Sequence, residues 1–264
     1  MLRFGYNTNG MAHHRLDEAL LLLRDLGYQG CAITLDAAHL DPFADQIARE
    51  VDRIGRLAQK LGLGLVVETG ARYLLDPMRK HQPTLLSDDP ARRIDFLLRA
   101  VAVARDLGAE CVSLWSGVGP NTTWSRLVDN LGRVLSSAGE MPLAFEPEPG
   151  MLVDDMARFA RLQAALPSLK LTLDLGHAHL TEPSVPDVVR QFAAYLLNVH
   201  AEDMRRPLHE HLPFGQGEMD YRPILSSLAE VGYRGLINVE LSRDSHRAPE
   251  MARAALKYLT EAST

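Results

Sequence analysis

The sequence lacks the features that announce several classes of protein. Of 264 residues only two are cysteine, Cys31 and Cys111. Each lies among small and apolar residues in a strand-like run. That excludes a disulfide framework and a zinc knuckle, and two buried, reduced thiols are expected. Long apolar runs are also missing. Stretches such as Ala19–Leu23 fall far short of the ~20 residues needed to cross a bilayer. The chain opens on Met-Leu-Arg-Phe-Gly-Tyr with no apolar signal region, so a cytoplasmic location is expected. An excess of basic charge is absent as well. The net charge is −6, the opposite of the balance usual in proteins that grip phosphate backbones, so no nucleic-acid partner is expected.

What is present is ordinary globular material, with 46% hydrophobic and 23% charged residues and no linker, low-complexity tract or charge run that would divide the chain. Short apolar runs alternate with longer amphipathic segments. Strands are expected at Leu2–Tyr6, Cys31–Leu35, Leu63–Glu68, Cys111–Trp115, Pro142–Glu146, Leu169–Asp174, Tyr195–His200 and Leu236–Glu240. Helices are expected at Leu16–Leu26, Phe43–Leu61, Ala91–Leu107, Trp124–Leu135, Met151–Leu166, Val185–Ala194, Ile224–Val231 and Met251–Leu259. Gly27, Gly62, Gly108 and Gly232 each follow a helix and precede a strand, the position where glycine reaches a left-handed conformation without steric cost. The strands are continuously apolar, as strands covered on both faces are.

Alternation of this kind implies parallel strands joined by helical crossovers. Eight units match a single (β/α)8 TIM barrel over residues 1–264. A doubly wound open sheet is the rival, but Asn7-Thr8-Asn9-Gly10 after the first strand lacks the G-x-G-x-x-G phosphate turn. The longest connection, Thr69–Pro90, has the length of a lid or binding loop. Its Arg72, Lys80 and His81 read as solvated residues or, alternatively, as contacts to an acidic or phosphorylated group.

In a barrel, chemistry sits at the C-terminal ends of the strands. The third strand ends in Glu68, the fifth in Glu146, the sixth in Asp174, the seventh in His200 and the eighth in Glu240. Glu146, Asp174, His200 and Glu240 come from four consecutive strands, so their side chains can meet. Three carboxylates repel unless a cation lies among them. An oxygen-rich set with one imidazole favours Mn2+ or Mg2+, with Co2+ or Zn2+ as alternatives. Taken singly, each acid also fits a helix N-cap. His177 follows Asp174 closely and is a further candidate. His179 and His39 read as capping or core residues, and Glu148 as a solvated loop residue. Tyr6 and Trp115, at the ends of the first and fourth strands, are aromatic candidates for substrate contact.

Five segments carry a resemblance: Leu143-Ala-Phe-Glu146-Pro147, Leu173-Asp174-Leu-Gly-His177, Asn198-Val-His200-Ala-Glu-Asp203, Gly215-Gln-Gly217-Glu-Met-Asp220 and Asn238-Val-Glu240. In order and spacing they resemble the xylose isomerase-like TIM-barrel superfamily of sugar isomerases and epimerases, dehydratases and endonuclease IV. The resemblance to its ketose 3-epimerases implies that Glu146, Asp174, His200 and Glu240 bind one metal. It also implies that Glu146 and Glu240 form the acid/base pair and that His177 touches substrate. Where those epimerases carry an arginine, this chain has His211. His209 and His211 together resemble endonuclease IV and imply a possible second metal. That enzyme's histidines at the ends of strands three and four are replaced here by Glu68 and Trp115, which opposes a phosphodiesterase.

The function expected is a metal-dependent isomerase or epimerase of a sugar, sugar phosphate or cyclitol, working through an enediolate. Glu68, Trp115, Tyr6, His177 and His211 are expected to contact the substrate. A dehydratase or lyase begins from the same proton loss and is the first alternative. An endonuclease IV-like phosphodiesterase and a non-catalytic sugar-binding barrel are alternatives of other classes. A homodimer or homotetramer is expected by analogy alone.

Overall fold

The strands that build the sheet are short because each needs only to cross the wall of a closed cylinder. In the computed structural model, which describes residues 1–119 and 121–264, they are β1 (Arg3–Asn7), β2 (Gly30–Thr34), β3 (Gly64–Glu68), β4 (Val112–Leu114), β5 (Leu143–Phe145), β6 (Lys170–Asp174) and β7 (Leu196–Ala201). An antiparallel pair, β8 (Asp203–Arg205) and β9 (Leu208–Leu212), stands apart from the barrel. β10 (Leu236–Val239) then pairs with both β7 and β1 and closes it. All eight barrel strands are parallel, in the order β1-β2-β3-β4-β5-β6-β7-β10. Closure leaves the barrel itself without an edge strand.

The helices are α1 (Leu16–Leu26), α2 (Ile47–Leu61), α3 (Ala91–Leu107), α4 (Trp124–Ala138), α5 (Met156–Ala165), α6 (Leu175–Thr181), α7 (Val185–Phe192), α8 (Tyr221–Glu230) and α9 (Ala248–Ala262). The main core lies where helices meet the outer face of the barrel. Inside the barrel a smaller cluster, including Ala32, Val66, Cys111 and Ala144, packs together. Gly5 is required there, since a Cβ would come within 2.1 Å of Asn238 Oδ1. Gly27, Gly62 and Gly108 end α1, α2 and α3 with φ of 103°, 67° and 68°, as their positions in the sequence predict.

Both cysteines are free and buried. Among the described residues no helix is long and apolar enough to cross a membrane. Departures from the expected elements are few and local. α2 begins at Ile47 rather than Phe43, because Asp41 accepts from the Phe43 N–H at 2.8 Å and turns the chain there first. α5 begins at Met156 rather than Met151. The preceding residues form a turn closed by Glu148 N–H to Val153 O at 3.0 Å. The sequence reading missed α6 and the β8–β9 hairpin.

Candidate active site

β5, β6, β7 and β10 end side by side, which brings Glu146, Asp174, His200 and Glu240 together. Their donor atoms all lie within 4.8 Å of one another. His200 is the hub. Its Nδ1 is 3.0 Å from Glu240 Oε2, 3.2 Å from Glu146 Oε1 and 3.9 Å from Asp174 Oδ2. Its Nε2 bonds Glu68 Oε1 at 2.8 Å. Burial opposes charge on this imidazole, but the Glu68, Glu146 and Glu240 carboxylates overrule it and lift His200 well above its ordinary value.

The two glutamates are held differently. Burial, reinforced by the Glu240 and Asp174 charges, pushes Glu146 up to about 7 against the pull of His200. For Glu240 burial acts the same way, but His200 and His211 outweigh it and hold the carboxylate well below the usual range. Asn9 Nδ2 donates to Glu240 Oε1 at 2.6 Å and fixes its orientation. Asp174 is doubly engaged. Its Oδ1 accepts the His177 N–H at 2.7 Å and caps α6, while Oδ2 is buried with no hydrogen-bond partner. An orphaned carboxylate oxygen among acidic neighbours, with an imidazole nitrogen in reach, fits a divalent cation. An N-cap role and a ligand role therefore coexist in one residue.

Beside this cluster lies a second. β9 carries His209 and His211 back over α6, where one nitrogen of each and one of His177 gather within 4.8 Å. His177 Nδ1 lies 3.1 Å from Pro147 O. A carbonyl only accepts, so Nδ1 carries the proton and Nε2 accepts from His209 Nε2 at 2.8 Å. That tautomer agrees with burial pushing His177 down to about 4. Burial would lower His211 too, but the wholly buried Glu202, whose Oε2 lies 3.6 Å from His211 Nδ1, lifts it to about 10.

A cavity of about 300 Å³ opens over both clusters. Some expected site residues take other places. Tyr6 is fully buried outside the barrel, edge-on to Tyr28 at 5.8 Å, and does not line the cavity. Strand alternation explains this correction, since Gly5 and Asn7 take the inward positions and Tyr6 the outward one. Glu68 lines the cavity, but its Oε1 is taken up by His200 and by the Asn198 amide at 3.1 Å. Trp115 lines it as well, with the Arg93 guanidinium 4.8 Å above its ring and His81 against its edge.

Glu148 is a half-buried loop residue rather than a freely solvated one. It lines the cavity, and burial, then the Glu146 and Glu240 charges, raise it well above the carboxylate range. His179 instead pairs with Glu218 at 3.0 Å, and buried His39 contacts His14 O at 2.9 Å. The sequence reading passed over Asn9, Glu202 and Arg93. Only the buried carboxylate in the run after His200 left a trace, as Glu202 within His200-Ala-Glu-Asp203.

A family model described as a xylose isomerase-like TIM barrel matches residues 20–262. The chain belongs to that family. Among relatives of this xylose isomerase-like chain is L-ribulose-5-phosphate 3-epimerase UlaE of Shigella flexneri serotype 5b. It is 24% identical over 88% of this chain and 84% of its own length. A solved L-ribulose 3-epimerase superposes with a TM-score of 0.78, at 21% identity over 100% of this chain and 95% of that one. A D-allulose 3-epimerase from Methylomonas sp. gives a TM-score of 0.75, at 19% identity over 98% and 96%. At these identities the solved structures speak for the fold.

Proposed function

We propose that the protein is a divalent-metal-dependent ketose epimerase in which Glu146, Asp174, His200 and Glu240 hold the cation. The observation that carries this reading is the unpartnered, buried Asp174 Oδ2 with three further donors within 4.8 Å. Hard oxygen donors with one imidazole suit Mn2+ or Mg2+, and then Co2+ or Zn2+. When bound, such a cation supplies Lewis-acid stabilisation of the negative charge that builds on substrate oxygens as an α-proton leaves.

The chain's own groups supply the proton transfer. Glu146 and Glu240 reach His200 Nδ1 from β5 and β10, at 3.2 and 3.0 Å. With β6 and β7 between them, they are assigned to opposite sides of a bound sugar carbon. The two carboxylates form the acid/base pair, one taking the proton and the other returning one. Delivery of the proton from the opposite side inverts the carbon, which is epimerisation. Delivery to the neighbouring carbon is isomerisation and asks for only one carboxylate. His177 and His211 are assigned to substrate hydroxyls, with His209 bonded to His177 Nε2 at 2.8 Å; His209 and His211 are the alternative pair for a second cation. The charged His211 imidazole supports the developing oxyanion. The relatives' names divide between a phosphorylated and an unphosphorylated pentulose, and both belong in a substrate screen.

The test is turnover of ketoses by the metal-loaded protein in D2O, followed by NMR. Epimer carrying one deuterium at the inverted carbon is expected, and Glu146→Gln should lower kcat/KM by about 10²–10⁴-fold. A dehydrated product would assign the site to a lyase. An unchanged rate in the variant would remove Glu146 from the mechanism.

A further inference from the structure

We propose that the rim of the cavity contains a subsite for a terminal phosphate of the substrate. It is built by Arg72 and Lys80 from the connection between β3 and α3, and by Arg243 from the connection after β10. This rests on the epimerase reading and names the substrate class for the same site.

The cavity is polarised. Its floor holds Glu146, Glu148 and Glu240, and its rim holds Arg72, Lys80 and Arg243. An anionic group would be repelled by the floor and drawn to the rim, so the charge pattern orients a molecule with hydroxyls at one end and an anion at the other. The two arginines have carboxylate neighbours. Arg243 pairs with exposed Glu210 at 2.7 Å, and Arg72 Nε lies 3.8 Å from Asp36. An exposed pair such as Arg243–Glu210 contributes little and exchanges readily. Lys80 is exposed, and among the described residues no carboxylate lies within ion-pair distance of it.

The loop presenting Arg72 and Lys80 is held at its neck. His81 N–H donates to Arg72 O at 2.6 Å and closes the loop. Ala71, Arg72 and His81 have φ of 56°, 38° and 66°, a region that side chains other than glycine occupy only when their surroundings enforce it. The enforcing group is Arg93, a buried guanidinium on α3. It donates to Thr69 O, His81 O and Pro83 O at 2.9, 2.8 and 2.9 Å, so both strands of the neck hang from one side chain. Arg72 and Lys80 flank that neck. Arg72 already donates through Nη2 to Asn9 O, and its remaining donors, with those of Arg243 and Lys80, match the three oxygens of a phosphate monoester better than the two of a carboxylate.

The experiment uses the full chain loaded with Mn2+. It compares kcat/KM for 2-ketopentoses, their 5-phosphates and the matching terminal carboxylates, in wild type and Lys80→Gln. The phosphates should be favoured, and the ratio of phosphorylated to free sugar should fall roughly 10-fold or more in the variant, mainly through KM, as for loss of a charge-assisted contact. Arg243→Gln should act in the same direction.

A free-sugar preference with a ratio that neither variant moves would overturn the subsite and leave the epimerase reading intact. A preference for the carboxylates would overturn the phosphate assignment. If no sugar turns over, the epimerase reading fails, and inorganic phosphate then decides the subsite. A rise in thermal midpoint that shrinks in Lys80→Gln sustains it, and equal rises in both proteins dismiss it.

Discussion

Asp174 and His209 both end beside His177, but they arrive by different routes. Asp174 is the last residue of a barrel strand, buried on all sides, and its neighbours on β5, β7 and β10 reach the same point because consecutive parallel strands end side by side at one mouth of the barrel. His209 comes from a five-residue strand of a hairpin outside the barrel, half-buried, and lies over the site only because β8–β9 folds back across α6. The floor is therefore fixed by the scaffold, and the rim by excursions laid upon it. Strand-borne groups should carry the chemistry. Loop-borne groups, free to vary without disturbing the barrel, should choose the substrate.

The sharpest way to break this comparison is Asp174→Asn. Asparagine keeps the N-cap of α6 and removes the charge from the cluster. Elemental analysis should show the bound metal largely lost, with affinity down more than about 100-fold, beyond the range for groups that merely support ligands. Retained metal would mean that the floor is not a metal site.

Glu68→Gln sharpens the contrast inside the floor. Glu68 touches His200 from behind at 2.8 Å, so its loss should weaken metal affinity about 10–100-fold while leaving KM for substrate nearly unmoved. A large KM effect with tight metal would return Glu68 to direct substrate contact.

The smallest effect belongs to the rim. Burial pushes His81 down to about 4 from an ordinary value of 6.5. Between these values the unfolded chain holds the extra proton. Stability contributed by neutral His81 is thus complete above pH 6.5 and lost as pH falls towards 4. His81→Asn tolerates the left-handed backbone and should flatten part of the decline in denaturation midpoint over that window, with little change at pH 7. An unaltered slope would show that another group governs acid loss.

The sequence made the barrel legible because strand burial and helix capping are local signals. Ala91–Leu107 is a helix with the bounds its apolar spacing and Gly108 predict. Glu146, Asp174, His200 and Glu240 were legible as site candidates because each closes an apolar strand. Tyr6 misled for the complementary reason: a strand end says that a residue is near the rim, but the inward or outward choice depends on register against β2 and β10. Glu148 misled because a Pro-flanked acid looks solvated until the cavity closes around it.

By itself, then, the sequence determined the alternation and the eight-strand count, and it marked Glu146, Asp174, His200 and Glu240 as candidates at strand ends, because these follow from patterns within a few residues. Tertiary structure alone decided that Glu68 stands behind His200, 132 positions away. It alone decided that Arg93 ties off a loop beginning 24 residues earlier, and that a hairpin returns two histidines to a third. Each depends on where the closed barrel puts distant backbone, and no local propensity encodes that distance.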